Sequence, residues 1–285
     1  MTSAERVRDA IVADIEASGF GAHGLHVRVG DEVAAHRWTP DVREDIHSAA
    51  KAVCFLAVGI AVDEGAISVD EPIATSLPSF EVADREMTLR RLLSMTSGVD
   101  FPWTPTLMTD WPDLAREFLS RPSAGRGFQY SNASTYTAMR VLDTRVGDVA
   151  EYLGSRLFAP LGIEAPDWTR CPNGYIEAGG GLWLRTEELA RIGLLVRDRG
   201  VWEGSQLVSA EWVGALGTEW SVTGSEPPYA GYSLGAWAGP GAAWRIHGAY
   251  GQLVILQGDA VVTITADDHF GADAAAASVV RVLES

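Results

Sequence analysis

Apolar–polar alternation marks both ends of this chain and is missing from its middle, which restricts the fold more than any other feature. Near the start, Leu25-His26-Val27-Arg28-Val29 and Glu32-Val33-Ala34-Ala35-His36 read as two short strands, with Gly30-Asp31 as a two-residue hairpin turn. Near the end, runs at 230–238, 243–248, 251–257 and 260–266 read as an antiparallel meander, turning at Gly239-Pro240-Gly241 and Gly258-Asp259. Between these ends the spacing is helical, at 48–63, 88–95, 111–119, 133–145, 148–158, 186–197 and 209–216, broken by loops containing Pro and Gly. Ser48 reads as the N-cap of the first of these. Further helices are predicted at 4–17 and 272–283. The pattern predicts one antiparallel sheet built from both ends, terminal helices over one face, and a helical insertion beside it. The expected class is α/β (α+β), with residues 1–45 and 175–285 as the sheet part and 46–174 as the helical part.

Composition narrows the function. The chain has 285 residues, 47% of them hydrophobic, so it can bury a large core without disulfide or metal staples. Its two cysteines, Cys54 and Cys171, form no Cys-x-x-Cys pair. A formal charge of −16 argues against nucleic acid and anionic membranes, where Lys/Arg clusters supply the affinity. The first residues lead into a charged amphipathic stretch, and no run of 18 apolar residues follows, so the expectation is a soluble cytoplasmic protein without a signal peptide.

Lys and Arg together number 22, yet the only lysine is Lys51. Arginine cannot be deprotonated in proteins, whereas a lysine amine can act as a base. Lys51 closes the segment Ser48-Ala49-Ala50-Lys51, whose i, i+3 spacing puts both side chains on one face at a helix start. There the amine can take the serine proton, and the helix-end N–H groups favour developing negative charge. A second segment, Tyr130-Ser131-Asn132, heads another helix, where a phenol near Lys51 could relay a proton. A third, Ile246-His247-Gly248-Ala249-Tyr250-Gly251-Gln252, lies in a strand-like stretch whose glycines admit a substrate backbone. The N–H groups of Ser48 and Ala249 are the candidate oxyanion hole.

With these three segments in this order, residues 20–285 resemble the serine β-lactamase and penicillin-binding-protein superfamily, on its class C β-lactamase, family VIII esterase and 6-aminohexanoate-dimer hydrolase side. Ser48-x-x-Lys51 matches the S-x-x-K box and Tyr130-x-Asn132 the Y-x-N box. Leu92-Leu93-Ser94-Met95-Thr96-Ser97-Gly98, Gly180-Gly181-Leu182 and Tyr250-Gly251-Gln252 are softer matches. The resemblance implies a β-lactamase/transpeptidase-like fold, with a five-stranded antiparallel sheet flanked by helices and an all-helical subdomain. It also implies Ser48 as acylated nucleophile, Lys51 as its activating amine, Tyr130 as proton shuttle, and Asn132 holding Lys51 and the substrate. No cofactor is implied. The chain departs from the pattern in the third box, where K-T-G or H-x-G is usual. Aligned as Ile246-His247-Gly248, or shifted by one to His247-Gly248-Ala249, it offers no lysine to pair with a substrate carboxylate. Arg245 is the candidate substitute.

The expected activity is therefore hydrolysis of a small ester or amide through an acyl-enzyme on Ser48, with His247 and Gly248 among the substrate-binding residues. The alternatives are a true β-lactamase or D,D-peptidase acting on a lactam, and a non-catalytic relative that binds a ligand in the same cleft. Gly231-Tyr232-Ser233-Leu234-Gly235 spells G-x-S-x-G, but such an elbow needs a following helix, and Ala236-Trp237-Ala238-Gly239-Pro240 cannot supply one. His23-x-x-His26 has ligand-like spacing without a third partner, so no metal is expected. Asp267-Asp268-His269 reads as a solvated turn, Cys54 as a small buried side chain, and Trp103, Trp111, Trp183 and Trp237 as candidates to shape the cleft.

Overall fold

The computed structural model describes residues 1–101, 104 and 107–285; Trp103 lies outside them. Helix α1 (Ser3–Ser18) begins with a capping box, in which the Glu5 amide donates to Thr2 Oγ1 and the Thr2 amide to the Glu5 carboxylate. Strands β1 (Ala22–Val29) and β2 (Glu32–Arg37) form the expected hairpin, turning at Gly30 with φ +54°. After β3 (Glu44–Asp45), a 3₁₀ turn over His47–Ala49 runs into α2 (Ala50–Asp63). Ser48 is thus inside the turn and is not an N-cap; the Asp45 carboxylate takes the capping role by accepting from the His47 amide at 2.8 Å.

Four helices follow, α3 (Leu89–Leu93), α4 (Leu114–Ser120), α5 (Asn132–Val146) and α6 (Val149–Leu153), the last continuing as a π-helical turn to Phe158. Strand β4 (Trp183–Leu184) pairs with β3, and α7 (Thr186–Arg197), the β5 (Val201–Trp202) and β6 (Ser205–Gln206) hairpin, and α8 (Ala210–Ala215) come next. The chain ends with β7 (Ser221–Val222), β8 (Gly231–Ser233), β9 (Ala236–Ala238), β10 (Trp244–Gly248), β11 (Gln252–Gln257), β12 (Ala260–Ala266) and α9 (Ala272–Leu283).

The main sheet is antiparallel and eight-stranded, in the order β2-β1-β12-β11-β10-β9-β8-β7, and not five-stranded as the resemblance implies. Two local events each add one strand to the six runs read from the sequence. The run at 230–238 is not continuous but folds back at Leu234 (φ +52°) and Gly235 (φ +136°), and Ser221–Val222 joins the edge. The two chain ends meet where β1 lies against β12, with Leu25 opposite Ile264 and Val27 opposite Val262. Side-chain alternation then builds two cores. Leu25, Val27, Leu253, Ile255, Val262 and Ile264 pack on one face against Ile11 and Ile15 of α1 and Val279 of α9. Val254, Leu256 and Val261 face the other way, toward Leu189 and Ile192 of α7 and the helical middle. Every residue from Ala50 to Ala61 is buried, so α2 is a central helix packed all round.

Two glycines let the sheet approach the start of α2. A Cβ on Gly248, at the end of β10, would lie 2.2 Å from the Ile46 carbonyl oxygen, and one on Gly235 would lie 3.0 Å from Ala52 Cα. Among the described residues, no helix is long and apolar enough to cross a membrane.

Candidate active site

Lys51 is the second residue of α2, one turn on from Ser48, and is only 2% exposed. Its Nζ lies 3.0 Å from Ser48 Oγ, 2.7 Å from Asn132 Oδ1 and 2.8 Å from the Gly179 carbonyl oxygen. Asn132 and Gly179 can only accept here, so they fix two N–H bonds of the amine. An ammonium directs its third proton at Ser48 Oγ; a neutral amine directs its lone pair there instead. The arrangement can therefore take a proton from the serine and hold it. Gly179 permits this proximity, because a Cβ there would come within 2.9 Å of the Asn132 amide carbon and oxygen. Behind Lys51, the Cys54 thiol donates to the Ala178 carbonyl at 3.4 Å, and burial pushes it up to about 12, which makes it inert.

Asp45 ties the Ser48 turn to the loop that carries Gly179. Its Oδ1 accepts from the amides of His47 and Gly181, and the Ile46 amide donates to the Leu182 carbonyl. Tyr130 is 38% exposed and lines the cleft, with the centre of its ring 4.9 Å from Lys51 Nζ. Among the described residues its hydroxyl makes no hydrogen bond. The Tyr130 ring rests against Trp237 at 5.4 Å and Tyr232 at 5.7 Å.

The third segment reaches the same place. Gly248 packs under Ile46, and Ala249 lines the cleft beside Ser48. Ile246 is fully buried in the core with Ala49 and Ala50. Arg245 is not a free cation for a substrate. It is 0% exposed and donates to His247 Nδ1, the Gly239 carbonyl and the Asp273 carboxylate. Ser233 is equally occupied: it is fully buried, ends β8 before a hairpin turn, and donates to the Ala215 carbonyl at 2.9 Å. The G-x-S-x-G stretch is therefore a β-hairpin and not a nucleophile elbow.

The cleft has a volume of about 850 Å³ and shares Ser48 and Tyr130 in its wall with a second lobe of about 370 Å³. Of the tryptophans expected in the cleft, Trp237 lines the second lobe. Trp111 instead packs on Phe101, and Trp183 reaches Thr169 on the outside. His269 lies exposed in a turn, as expected, and also lines both lobes, with its ring 5.4 Å from Tyr250 and 5.1 Å from Phe270. The sequence reading missed Asp45, His47, Glu177, Gly179 and Phe270, all on the cleft wall. Burial and the neighbouring Asp45 charge hold the Glu177 carboxyl above its usual range. His47, Ala178 and Tyr250 have φ of +49°, +63° and +61°. Left-handed non-glycine residues are strained and gather at functional sites, and they are the one local signal here that needs coordinates to be seen.

The sequence matches the family model described as Beta-lactamase over residues 8–282. A 6-aminohexanoate-dimer hydrolase of Paenarthrobacter ureafaciens is 29% identical over 212 residues, which cover 65% of this chain and 54% of that protein. The chain therefore spans about half the length of that relative. A penicillin-binding protein homolog from Caulobacter crescentus has a TM-score of 0.78 at 15% identity, covering 100% of this chain and 97% of its own. A D-amino acid amidase from Ochrobactrum anthropi SV3 has a TM-score of 0.74 at 18% identity, covering 98% of each. At these identities the structural likeness is one of fold.

Proposed function

The chain belongs to the beta-lactamase family, and from that premise we propose that it is a serine hydrolase that cleaves a small ester or amide through an acyl-enzyme on Ser48. The observation that carries this reading is the Lys51 amine, held by Asn132 and Gly179 with its remaining direction on Ser48 Oγ. In the proposed cycle Lys51 enters neutral and takes the serine proton as Oγ attacks the substrate carbonyl. The oxyanion is received by the N–H groups of Ser48 and Ala249. Tyr130, on the cleft wall between the lobes, passes its proton to the departing alcohol or amine and is refilled by the proton that Lys51 took from Ser48. Water then adds to the acyl carbon while Lys51 takes its proton, and Lys51 returns that proton to Ser48 Oγ as the acid leaves, which restores the neutral amine. The cycle balances without a cofactor. In this reading the cleft lies along the seam between residues 46–174, which bring Ser48, Lys51, Tyr130 and Asn132, and residues 1–45 and 175–285, which bring Gly179 and Ala249.

Fold and boxes alone do not name a substrate. The charge of the site favours neutral esters or amides over penicillins, because Lys51 is committed to Ser48 and Arg245 is buried on Asp273. The test is intact-mass and peptide mapping after exposure to a fluorophosphonate probe and, separately, to a penicillin. An adduct on Ser48 with the probe, absent in Ser48→Ala, is the expected result. Acylation by penicillin as well would move the reading to the β-lactamase or D,D-peptidase alternative. No adduct at any serine would favour the non-catalytic binding alternative.

A further inference from the structure

The second lobe contains a chain of side chains that the proposed reaction does not use. Arg245 on β10 donates from Nε to His247 Nδ1 at 3.2 Å, from Nη1 to the Gly239 carbonyl at 2.7 Å, and from Nη2 to Asp273 Oδ1 at 3.3 Å. A guanidinium has no acceptor atom, so His247 Nδ1 must be the acceptor and the proton of the neutral ring must sit on Nε2. Burial and the Arg245 charge push His247 down to about 4, so the ring is neutral at pH 7. The groups around it are Arg245, Asp273, Tyr229 and His269, with the Tyr229 hydroxyl donating to Asp273 at 2.9 Å. His247 lines the lobe beside Tyr229, Trp237 and Asp273. Its Nε2–H has no acceptor among the described residues. Beside Ser48, Tyr130, Tyr250 and His269, the lobe therefore presents this neutral donor and the Asp273 carboxylate, and the arginine behind them is saturated.

Resting on the serine-hydrolase reading above, we propose that His247 is the specificity-determining residue of this lobe, its Nε2–H receiving an uncharged oxygen acceptor of the substrate while the lobe excludes a carboxylate. A carbonyl, ether or hydroxyl oxygen gains a hydrogen bond from a donor whose tautomer is already fixed. A carboxylate faces Asp273, while the Arg245 guanidinium is already held by Asp273, Gly239 and His247. Arg245 acts through His247 as a positioning residue, and Asp273 in turn holds Arg245.

Two measurements test this, and neither needs turnover. The first is ¹⁵N NMR of His247 in the whole protein at pH 7. Protonated Nε2 with bare Nδ1 is expected; a proton on Nδ1 overturns the proposal. The second is calorimetric binding to the Ser48→Ala protein of two matched amides, one ending in a primary carboxamide and the other in a carboxylate of the same length. The carboxamide is expected to bind at least about tenfold more tightly. His247→Lys in the same background should shift that ratio at least about tenfold toward the carboxylate, while His247→Gln, which keeps a neutral donor, should preserve it. Equal affinity, binding of neither amide, or a ratio unmoved by His247→Lys overturns the proposal. Failure of the underlying reading shows up separately, as absence of probe labelling on Ser48.

Discussion

Lys51 illustrates how few atoms decide the chemistry of a cleft. Its Nζ has three neighbours within hydrogen-bond reach, two of them fixed acceptors, which leaves one direction for Ser48. An arginine at this position keeps the charge but cannot give up a proton, and its planar fork does not match three converging oxygens. Lys51→Arg is therefore expected to lower kcat by about 10²–10⁴-fold, the usual range for a lost general base, with the circular dichroism spectrum unchanged. Near-normal turnover would rule out the base role. The Ser48–Lys51 pair was legible in the sequence because the i, i+3 geometry of one helical turn is local. The Gly179 carbonyl was not, since it lies 128 residues from Lys51 and is brought there by a loop anchored on Asp45.

At the scale of elements, the site depends on how closely β10 can approach the 3₁₀ turn at His47–Ala49. Gly248 sets that distance, because a Cβ there would meet the Ile46 carbonyl oxygen at 2.2 Å, and both partners are backbone. Gly248→Ala should destabilise the fold by about 1–3 kcal/mol, as overpacking usually does. Each kcal/mol should lower Tm by roughly 2–4 °C in a chain of this size. The same shift moves the Ala249 amide away from Ser48, so kcat/KM should fall at least about tenfold. A thermal melt and a rate assay on one preparation check both, and an unchanged Tm would refute the packing argument. The elements themselves were largely readable from periodicity, including α7 and α9 to within a residue. The run at 230–238 reads as one strand because its two halves, Gly231–Ser233 and Ala236–Ala238, are only three residues each, too short for the change of phase at Leu234 and Gly235 to show. The hairpin pairs Tyr232 with Trp237 and Ser233 with Ala236, so the turn exchanges odd and even positions between the faces, and a period of two cannot resolve that change over three residues.

The whole molecule adds a field that no single residue carries. With a formal charge of −16, it repels anionic substrates over distances of about 30 Å at 10 mM salt and well under 10 Å at 300 mM. For an anionic ester, kcat/KM should rise severalfold between those salt concentrations, while a neutral ester of the same shape should change by less than about twofold. A flat response for both would mean that the cleft is shielded from the surface charge. The sequence by itself determined most of the helices and the longer strands, the joining of the two chain ends into one sheet, and the local Ser48–Lys51 turn, because helical and strand periods and i, i+3 contacts are properties of neighbouring residues. Only the tertiary structure decided the rest. It showed that Asn132 and Gly179 close on Lys51, that Arg245 turns away to Asp273, that His247 faces a second lobe, and that the sheet has eight strands. Each of these depends on where segments distant in sequence come to rest against one another, and that is set by the packing of the two cores on either face of the sheet.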